Sequence, residues 1–215
     1  MEESNVFKHK ENLDILNNSE VSLNIINHKG TIELETDRLI LRKFNFNDIN
    51  AMYNNWATDT KVTRYMTHST YNNKEEVSKK IDKWVEEYKS MSYYRWAIEL
   101  KMNKELIGYI SAGNSKENIK SIDLGYCIGS RWWNQRIVTE AGIEVIKYLF
   151  EQVGYNRIVA RCAKDNIGSE RVMQKLGMKR EGILRQAGYC NQGITDILCY
   201  SILREEFKQD LENLK

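Results

Sequence analysis

The chain has 215 residues, long enough to bury a substantial core without a disulfide or a metal ion. Apolar residues make up 41% and charged residues 29%, close to the average of globular proteins, which excludes a fibrous or wholly disordered chain. A net charge of +2 gives no electrostatic case for nucleic acid or an anionic membrane as the main partner, and no apolar run approaches the ~20 residues of a membrane span.

Residues 1–30 differ in composition from the rest. They are rich in Asn, Glu and Lys, and their short apolar islands follow no period, which predicts a partly ordered N-terminal extension ahead of a domain over 31–215. The acidic start Met1-Glu2-Glu3 lacks the positive charge of a secretory signal, so a cytoplasmic location is expected. The four cysteines are scattered without metal-ligand spacing, and no metal site is expected.

The first half of the domain is predicted to mix strands and helices. Two short strands are expected within residues 32–44, and Asn47-Asp48 is predicted to cap a helix that reaches Trp56. A clean apolar stripe predicts a second helix over Lys74–Lys89. Three strands of an antiparallel meander follow at Tyr93–Leu100, Leu106–Ala112 and Ile119–Gly129.

The sequence of the second half predicts a helix over Ile137–Val153, which Gly154 ends, and then a strand over Arg157–Ala163. A strand, a helix and a strand in this order form a crossover unit whose two strands run parallel. The remaining elements are a helix at Ile167–Leu176 and strands at Met178–Tyr189 and Ile194–Leu203. The fold class is therefore α/β (α+β), with one mixed sheet and helices on both faces.

The turn after the third meander strand is the predicted ligand site, because ligands of open α/β sheets bind where strand ends meet helix N-termini. The free N–H groups and partial positive charge of a helix N-terminus suit a pyrophosphate. Arg131 and Arg136 would add positive charge, and Asn134 tolerates the left-handed backbone that a tight anion-binding turn requires.

Three stretches resemble the GNAT superfamily of N-acetyltransferases, most closely the ribosomal-protein N-terminal acetyltransferase (RimJ/RimL-like) type. Their order and spacing agree with that family over about residues 31–207. They are Leu34–Arg42, like the first strand; Leu124–Ile128 with Trp133–Ala141, like the acetyl-CoA strand and pyrophosphate loop; and Asn166–Met178 with Glu181-Gly182, like the C-terminal motif.

The resemblance implies a splayed central sheet and acetyl-CoA as co-substrate. Pantetheine would lie between the separated strands and bind the backbone at Cys127 and Ile128. Asn166 would bind the pantetheine amide or cap its helix, and Lys175 would reach the 3′-phosphate or remain a solvated lysine. The implied pyrophosphate site consists of Arg131, Asn134, Gln135, Arg136, Ile137, Val138 and Thr139.

The loop departs from the family pattern R/Q-x-x-G-x-G/A. Arg131 matches, but Asn134 replaces the first glycine and Arg136 replaces the second small residue. A long side chain at the second position must leave room for the phosphates. Arg136 therefore either swings outward and pairs with a phosphate, or weakens the site.

Amide formation from a thioester needs an aligned attack, a stabilised oxyanion and two proton transfers. The resemblance implies that Ser169 protonates the leaving thiolate, with helix capping as the alternative. Asp123 is the nearest carboxylate for a base, acting directly or through water, although it could equally be a solvated strand residue. Gly188 stands where some relatives carry a glutamate.

The predicted function is acetyl transfer to a primary amine. The subfamily likeness favours the α-amine of a protein N-terminus as the acceptor. A small-molecule acceptor, such as a polyamine or an antibiotic, and a catalytically silent coenzyme A-binding module are the alternatives. The aromatic residues Tyr53, Trp56, Tyr65, Tyr94 and Trp96 either line an acceptor pocket or belong to the core. Both a monomer and a homodimer are compatible with such a fold.

Overall fold

The computed structural model describes residues 26–213. One sheet of eight strands forms the centre, in the spatial order β1-β2-β3-β4-β5-β6-β8-β7. The strands are β1 (Leu34–Glu35), β2 (Leu39–Arg42), β3 (Tyr94–Leu100), β4 (Leu106–Lys116), β5 (Ser121–Ile128), β6 (Arg157–Ala163), β7 (Lys179–Cys190) and β8 (Gly193–Leu203). All neighbouring strands are antiparallel except β5 and β6, which run parallel as predicted.

Within residues 26–213, six α-helices flank this sheet: α1 (Ile49–Met52), α2 (Thr60–Thr63), α3 (Lys74–Glu87), α4 (Ile137–Tyr148), α5 (Ile167–Lys175) and α6 (Arg204–Asn213). A π-helical turn extends α1 over Tyr53–Ala57, and another extends α4 over Leu149–Val153. Gly154 ends the second turn in the left-handed region, with φ +103°, as its position in the sequence predicts.

Two apolar cores lie on opposite faces of the sheet. The larger core packs α4 against the sheet, and the smaller packs α1 and α3 against the other face. Alternation along the strands divides the side chains between the two cores: Trp96 and Ile98 of β3 face the larger, and Ala97 faces the smaller. This confirms the predicted α/β class with helices on both faces.

Four local features differ from the sequence predictions. Asp48 is the N-cap residue of α1, as predicted, but its side chain makes no capping hydrogen bond to that helix. The buried Asp48 carboxylate instead binds Arg42 and the Asn45 N–H, and Asn45 caps the 3-10 turn Phe46–Asp48 that leads into α1. Strand β4 continues to Lys116 through the predicted turn, with a register shift after Gly113. The two remaining differences are α2 and α6, which the apolar pattern did not predict.

The predicted extension falls mostly on residues 1–25, outside the described residues, so its order stays a prediction. Its last residues contact the domain. Ile26 is buried in the larger core, and the Tyr148 hydroxyl donates to the Gly30 carbonyl at 2.7 Å. A hydrogen bond of 2.8 Å joins His28 Nδ1 to the Tyr94 hydroxyl. The packed part of the chain thus includes residues 26–30.

Candidate active site

A gap opens between the two parallel strands. β5 and β6 pair over three positions, and the last pair is Asp123 with Val159. Beyond it β5 stays paired with β4 as far as Ile128, while β6 stays paired with β8 as far as Ala163. The inner edges of both strands therefore lose their partners and present backbone donors and acceptors, which an extended ligand can bind like an added strand.

The loop at the mouth of this gap has a left-handed backbone at both positions where the family pattern has small residues. φ is +62° at Asn134 and +60° at Arg136. Arg136 is also the N-cap of α4, and its side chain makes no capping hydrogen bond. The first N–H groups of α4 are thus left for a ligand, with the helix dipole adding partial positive charge.

The start of the loop is fixed to the segment that follows α1. A Cβ on Gly129 would lie 2.4 Å from the Asn55 carbonyl oxygen, so only glycine fits there. Arg131 donates to the Asn55 side chain, and Ser130 donates to the Asp59 carboxylate. Arg131 is therefore already engaged within the protein, and its predicted role toward pyrophosphate remains a prediction.

The end of the loop is held by Glu140 of α4. Glu140 accepts hydrogen bonds from the Thr36 hydroxyl and from Arg38, whose Nε lies 2.7 Å from Oε2. Arg38 also donates to the Gln135 carbonyl at 3.1 Å. Burial raises the pKa of Glu140, but these hydrogen bonds and the Arg38 charge outweigh burial and hold it below its usual range. Glu140 is thus a structural carboxylate.

Ser169 and Tyr126 meet on the α4 side of the gap. The Tyr126 hydroxyl lies 2.9 Å from Ser169 Oγ and 3.0 Å from the Ser169 carbonyl oxygen. Burial raises the pKa of Tyr126, so the phenol stays protonated and able to donate at neutral pH. Asn166 caps α5 by accepting from the Ser169 N–H at 3.2 Å, which confirms the capping alternative for Asn166.

Asp123 lies where the parallel pairing ends. Its Oδ2 accepts from Arg161 Nη1 at 2.7 Å and from Asn114 Nδ2 at 3.2 Å. The structure therefore places this carboxylate at the base of the gap, within an ion pair that crosses from β5 to β6. Its role as the base stays a prediction.

Comparison with known proteins identifies the family. The acetyltransferase (GNAT) domain family matches residues 38–179. The uncharacterized N-acetyltransferase YoaA of Bacillus subtilis is 34% identical over 171 residues, which cover 80% of this chain and 96% of that protein. The chain belongs to the GNAT acetyltransferase family.

Two further similarities support this GNAT assignment. A GNAT-family acetyltransferase of known structure from Bacillus anthracis superposes with a TM-score of 0.71 at 26% identity, covering 81% of this chain and 99% of that one. The ribosomal-protein-serine acetyltransferase of Escherichia coli is 30% identical over 97 residues, 45% of this chain and 54% of that protein. The predicted GNAT fold, the membership of an N-acetyltransferase family and the likeness to the ribosomal-protein type are thus confirmed.

Within this GNAT domain, the predicted coenzyme-binding residues lie around one site. Cys127 and Ile128 are at the end of β5, Ile137 to Thr139 form the first turn of α4, and Asn166 precedes α5. Lys175 is exposed at the end of α5, and the exposed side chain of Arg136 makes no hydrogen bond or ion pair with any described residue. Their contacts with the coenzyme remain predictions.

The Cys127 side chain faces the smaller core, and burial raises the pKa of its thiol. A protonated, buried thiol behaves as a small apolar group and not as a nucleophile. The contact predicted for Cys127 involves its backbone, which this burial does not affect.

Of the five aromatic residues proposed for an acceptor pocket, Trp56 and Tyr94 line cavities in the described part of the chain. Trp56 borders a cavity between α1, α3 and β3–β4. Tyr94 belongs to the larger core and borders a second cavity, together with Asp123 and Arg161, whereas Trp96 is buried in the larger core.

The loop after α2 covers the cavity that Trp56 borders. Asn191, at the β7–β8 turn, holds that loop by donating to the carbonyls of Thr63 and His68 at 2.9 and 2.8 Å.

Three site residues escaped the sequence analysis: Tyr126, Asn55 and Arg95. Tyr126 belonged to a quoted motif, but its contact with Ser169 spans 43 residues of sequence. Asn55 and Arg95 contact the loop and the cavity through tertiary packing alone. No pattern in a single sequence reports such contacts.

Two searches gave negative results for the part of the chain that the structure describes. None of its helices is long and apolar enough to cross a membrane. Among residues 26–213, no group of three or more His, Cys, Asp or Glu side chains is arranged to hold a metal ion.

Proposed function

We propose that this chain transfers the acetyl group of acetyl-CoA to a primary amine by direct attack, without a covalent enzyme intermediate. The observation that carries the proposal is the gap between β5 and β6, which ends at the uncapped N-terminus of α4. Unpaired strand edges suit an extended pantetheine chain, and a free helix N-terminus suits a pyrophosphate. These are the two parts of coenzyme A that a protein must hold in line.

The residues around the gap fit this coenzyme. The backbone of Cys127 and Ile128 would bind pantetheine, together with Asn166. The Arg136 side chain is exposed and makes no hydrogen bond or ion pair within the described chain, so its guanidinium is available for a phosphate. Lys175, exposed at the end of α5, is available for the 3′-phosphate. The loop residues Arg131, Asn134, Gln135, Ile137, Val138 and Thr139 would surround the pyrophosphate.

Acetyl-CoA supplies an activated acyl group, and the protein supplies alignment and protons. Ser169 would protonate the departing thiolate. The Tyr126 hydroxyl has one proton, which it can donate to the Ser169 carbonyl or to Ser169 Oγ. When it donates to Oγ, the serine proton is free to point into the gap. We therefore assign Tyr126 as the positioning residue for Ser169.

Asp123 is proposed as the base, directly or through one water. Its Oδ2 is held by Arg161 and Asn114, so Oδ1 is the atom that would accept the proton. If this is right, the acid limb of the pH–rate profile flattens in Asp123→Asn. An unchanged acid limb in that variant would mean that the amine reaches the site already deprotonated or loses its proton to water.

The acceptor is a primary amine. The similarity to the ribosomal-protein-serine acetyltransferase of E. coli, at 30% identity over 45% of this chain, favours the α-amine of a protein N-terminus. A small-molecule amine is the alternative within the same chemistry. A silent coenzyme A-binding module is the alternative outside it, since Arg136 and Gly188 depart from the family pattern.

The test is the release of free thiol from acetyl-CoA in the presence of a panel of amines that includes N-terminal peptides, amino-acid derivatives and polyamines. Release that depends on the amine supports the transferase. If no amine accelerates release while acetyl-CoA still binds, the chain is a silent module. Failure to bind acetyl-CoA would overturn the proposal as a whole.

A further inference from the structure

The cavity on the α1–α3 side of the sheet combines aromatic walls with positive charge. It has a volume of about 80 Å³, and its lining includes Trp56, Tyr71, Trp84 and Tyr109 together with Lys80 and Arg95. A single water molecule needs roughly 10–15 Å³ of such volume, so the cavity admits a group the size of a carboxylate or a phosphate. It is therefore a small polar site with apolar walls.

Arg95 lies among the rings of this cavity. Its guanidinium carbon is 4.4 Å from the centroid of Trp84 and 4.9 Å from that of Tyr109. Its Nε donates to the Tyr93 hydroxyl at 2.7 Å. Stacking on aromatic faces orients a guanidinium without neutralising it, so its remaining N–H groups keep their preference for an anion.

Lys80 adds a second positive charge beside it. Its Nζ lies 5.8 Å from the centroid of Trp84, on the same ring as Arg95. Burial lowers the pKa of Lys80, repulsion from Arg95 and Lys83 lowers it further, and a smaller attraction from Glu87 opposes them. Two cations that share one partly dry aromatic cavity repel each other, and a bound anion would remove that repulsion.

Neither cation has a carboxylate partner among the described residues. No ion pair joins Lys80 or Arg95 to an acidic side chain there. The nearby Glu87 forms an ion pair of 3.9 Å with Lys83, and Glu76 accepts a hydrogen bond from the Asn73 side chain at the start of α3. The cavity thus contains an excess of positive charge that the described chain does not neutralise.

The cavity adjoins the coenzyme strand. Tyr109 of β4, which lines it, pairs in register with Cys127 of β5, next to Ile128. Cys127 points to this face, while its neighbour Tyr126 contacts Ser169 on the other. The cavity therefore lies on the face of the sheet opposite Ser169, beside the strand that borders the gap.

We propose that this cavity binds a carboxylate or phosphate group of the acceptor, so that the enzyme acetylates amines that carry a negative charge. The proposal rests on the function proposed above and narrows its substrate class. Arg95 and Lys80 are the specificity-determining residues. Polyamines and other polycations are poor acceptors, because the cavity repels them.

Matched pairs of amines test this proposal. β-Alanine and β-alaninamide differ in a carboxylate, and O-phosphoethanolamine and ethanolamine differ in a phosphate. We expect kcat/KM to be at least tenfold higher for the charged member of one pair, and the preferred pair distinguishes carboxylate from phosphate. Equal or higher kcat/KM for both neutral members, or for spermidine, would overturn the proposal.

Variants of Arg95 and Lys80 test whether these two residues cause the preference for charged amines. Arg95→Gln should lower kcat/KM for the charged amine at least tenfold more than for its neutral partner, and Lys80→Met should act in the same direction. Lys79→Gln removes an exposed charge from the same helix outside the cavity and should leave the ratio unchanged. If Arg95→Gln does not fold, Lys80→Met carries the test. A ratio that stays at its wild-type value in the folded variants would overturn the proposal.

A binding measurement separates this proposal from the transferase itself. Propionate and inorganic phosphate, titrated calorimetrically into protein saturated with coenzyme A at constant ionic strength, should bind the wild type and bind Arg95→Gln at least tenfold more weakly. Anion binding without transfer to any amine would reject the transferase and keep the anion site. Acetyl transfer without anion binding and without a preference for charged amines would keep the transferase and reject the anion site.

Discussion

At the scale of single residues, the account depends most on Arg136. A non-glycine residue in the left-handed region costs about 1 kcal/mol, and Arg136 adopts φ +60° without any partner in the described chain that offsets this cost. A residue retained under such strain is explained if its guanidinium holds a phosphate when the coenzyme binds.

We therefore expect Arg136→Gly to weaken acetyl-CoA binding about tenfold, because a charge-assisted hydrogen bond contributes about 1.5–3 kcal/mol. Arg136→Lys keeps the charge and should lose less. Titration calorimetry measures both. Unchanged or tighter binding by Arg136→Gly would show that the side chain obstructs the site.

Ser169 and Tyr126 give the second prediction at this scale. Ser169→Ala should lower kcat more than tenfold with little change in acetyl-CoA affinity, because it removes a proton donor from the transition state. Tyr126→Phe keeps the ring but removes one hydrogen bond, and should lower kcat about threefold to tenfold.

The double variant shows whether the two residues act as a unit. If Tyr126 works through Ser169, then Tyr126→Phe should have almost no effect in the Ser169→Ala background. Additive losses of kcat would mean that Tyr126 acts independently, and an unchanged rate in Ser169→Ala would remove Ser169 from the mechanism.

At the scale of elements, Glu140 joins α4 to the β1–β2 turn. Its folded pKa lies below the ordinary value of 4.5, so its contribution to stability is present above pH 4.5 and is lost as the pH falls through the folded pKa. Glu140→Gln should lower the free energy of unfolding at pH 7 by about 1–3 kcal/mol, since hydrogen bonds to a charged group are lost.

Urea unfolding of both proteins across the acid range measures this effect. The difference between wild type and Glu140→Gln should shrink as the pH falls below 4.5. A difference that stays constant with pH would mean that the charge of Glu140 contributes nothing and that the side chain matters through packing alone.

The elements themselves could largely be predicted from the sequence. The apolar period of α3 and the strand pattern of β6 gave bounds close to those observed, Lys74–Glu87 and Arg157–Ala163, because each element buries one face in a core. The cap position at Asp48 was predicted correctly, but its side chain does not cap α1, because it turns inward to Arg42, which the sequence does not show. Local patterns report burial but not the partners of polar side chains.

At the scale of the whole molecule, the two faces of the sheet carry different parts of the proposed active site. The side of α4 and α5 holds the loop, Ser169 and Tyr126, whereas the side of α1 and α3 holds the charged cavity. The family motifs in the sequence predicted the residues on the side of α4 and α5. Lys80 and Arg95 come from different elements, α3 and β3, and only the fold brings them together.

The central claim is that the gap and its loop bind acetyl-CoA despite Arg136. A thermal melt with and without acetyl-CoA tests it most directly. At a hundredfold excess over the dissociation constant, the ligand adds about 2.7 kcal/mol of stability, and each kcal/mol raises the Tm of a chain this size by about 2–4 °C. We predict a rise of about 5–11 °C. An unchanged Tm would mean that the loop does not bind the coenzyme, which would contradict the account.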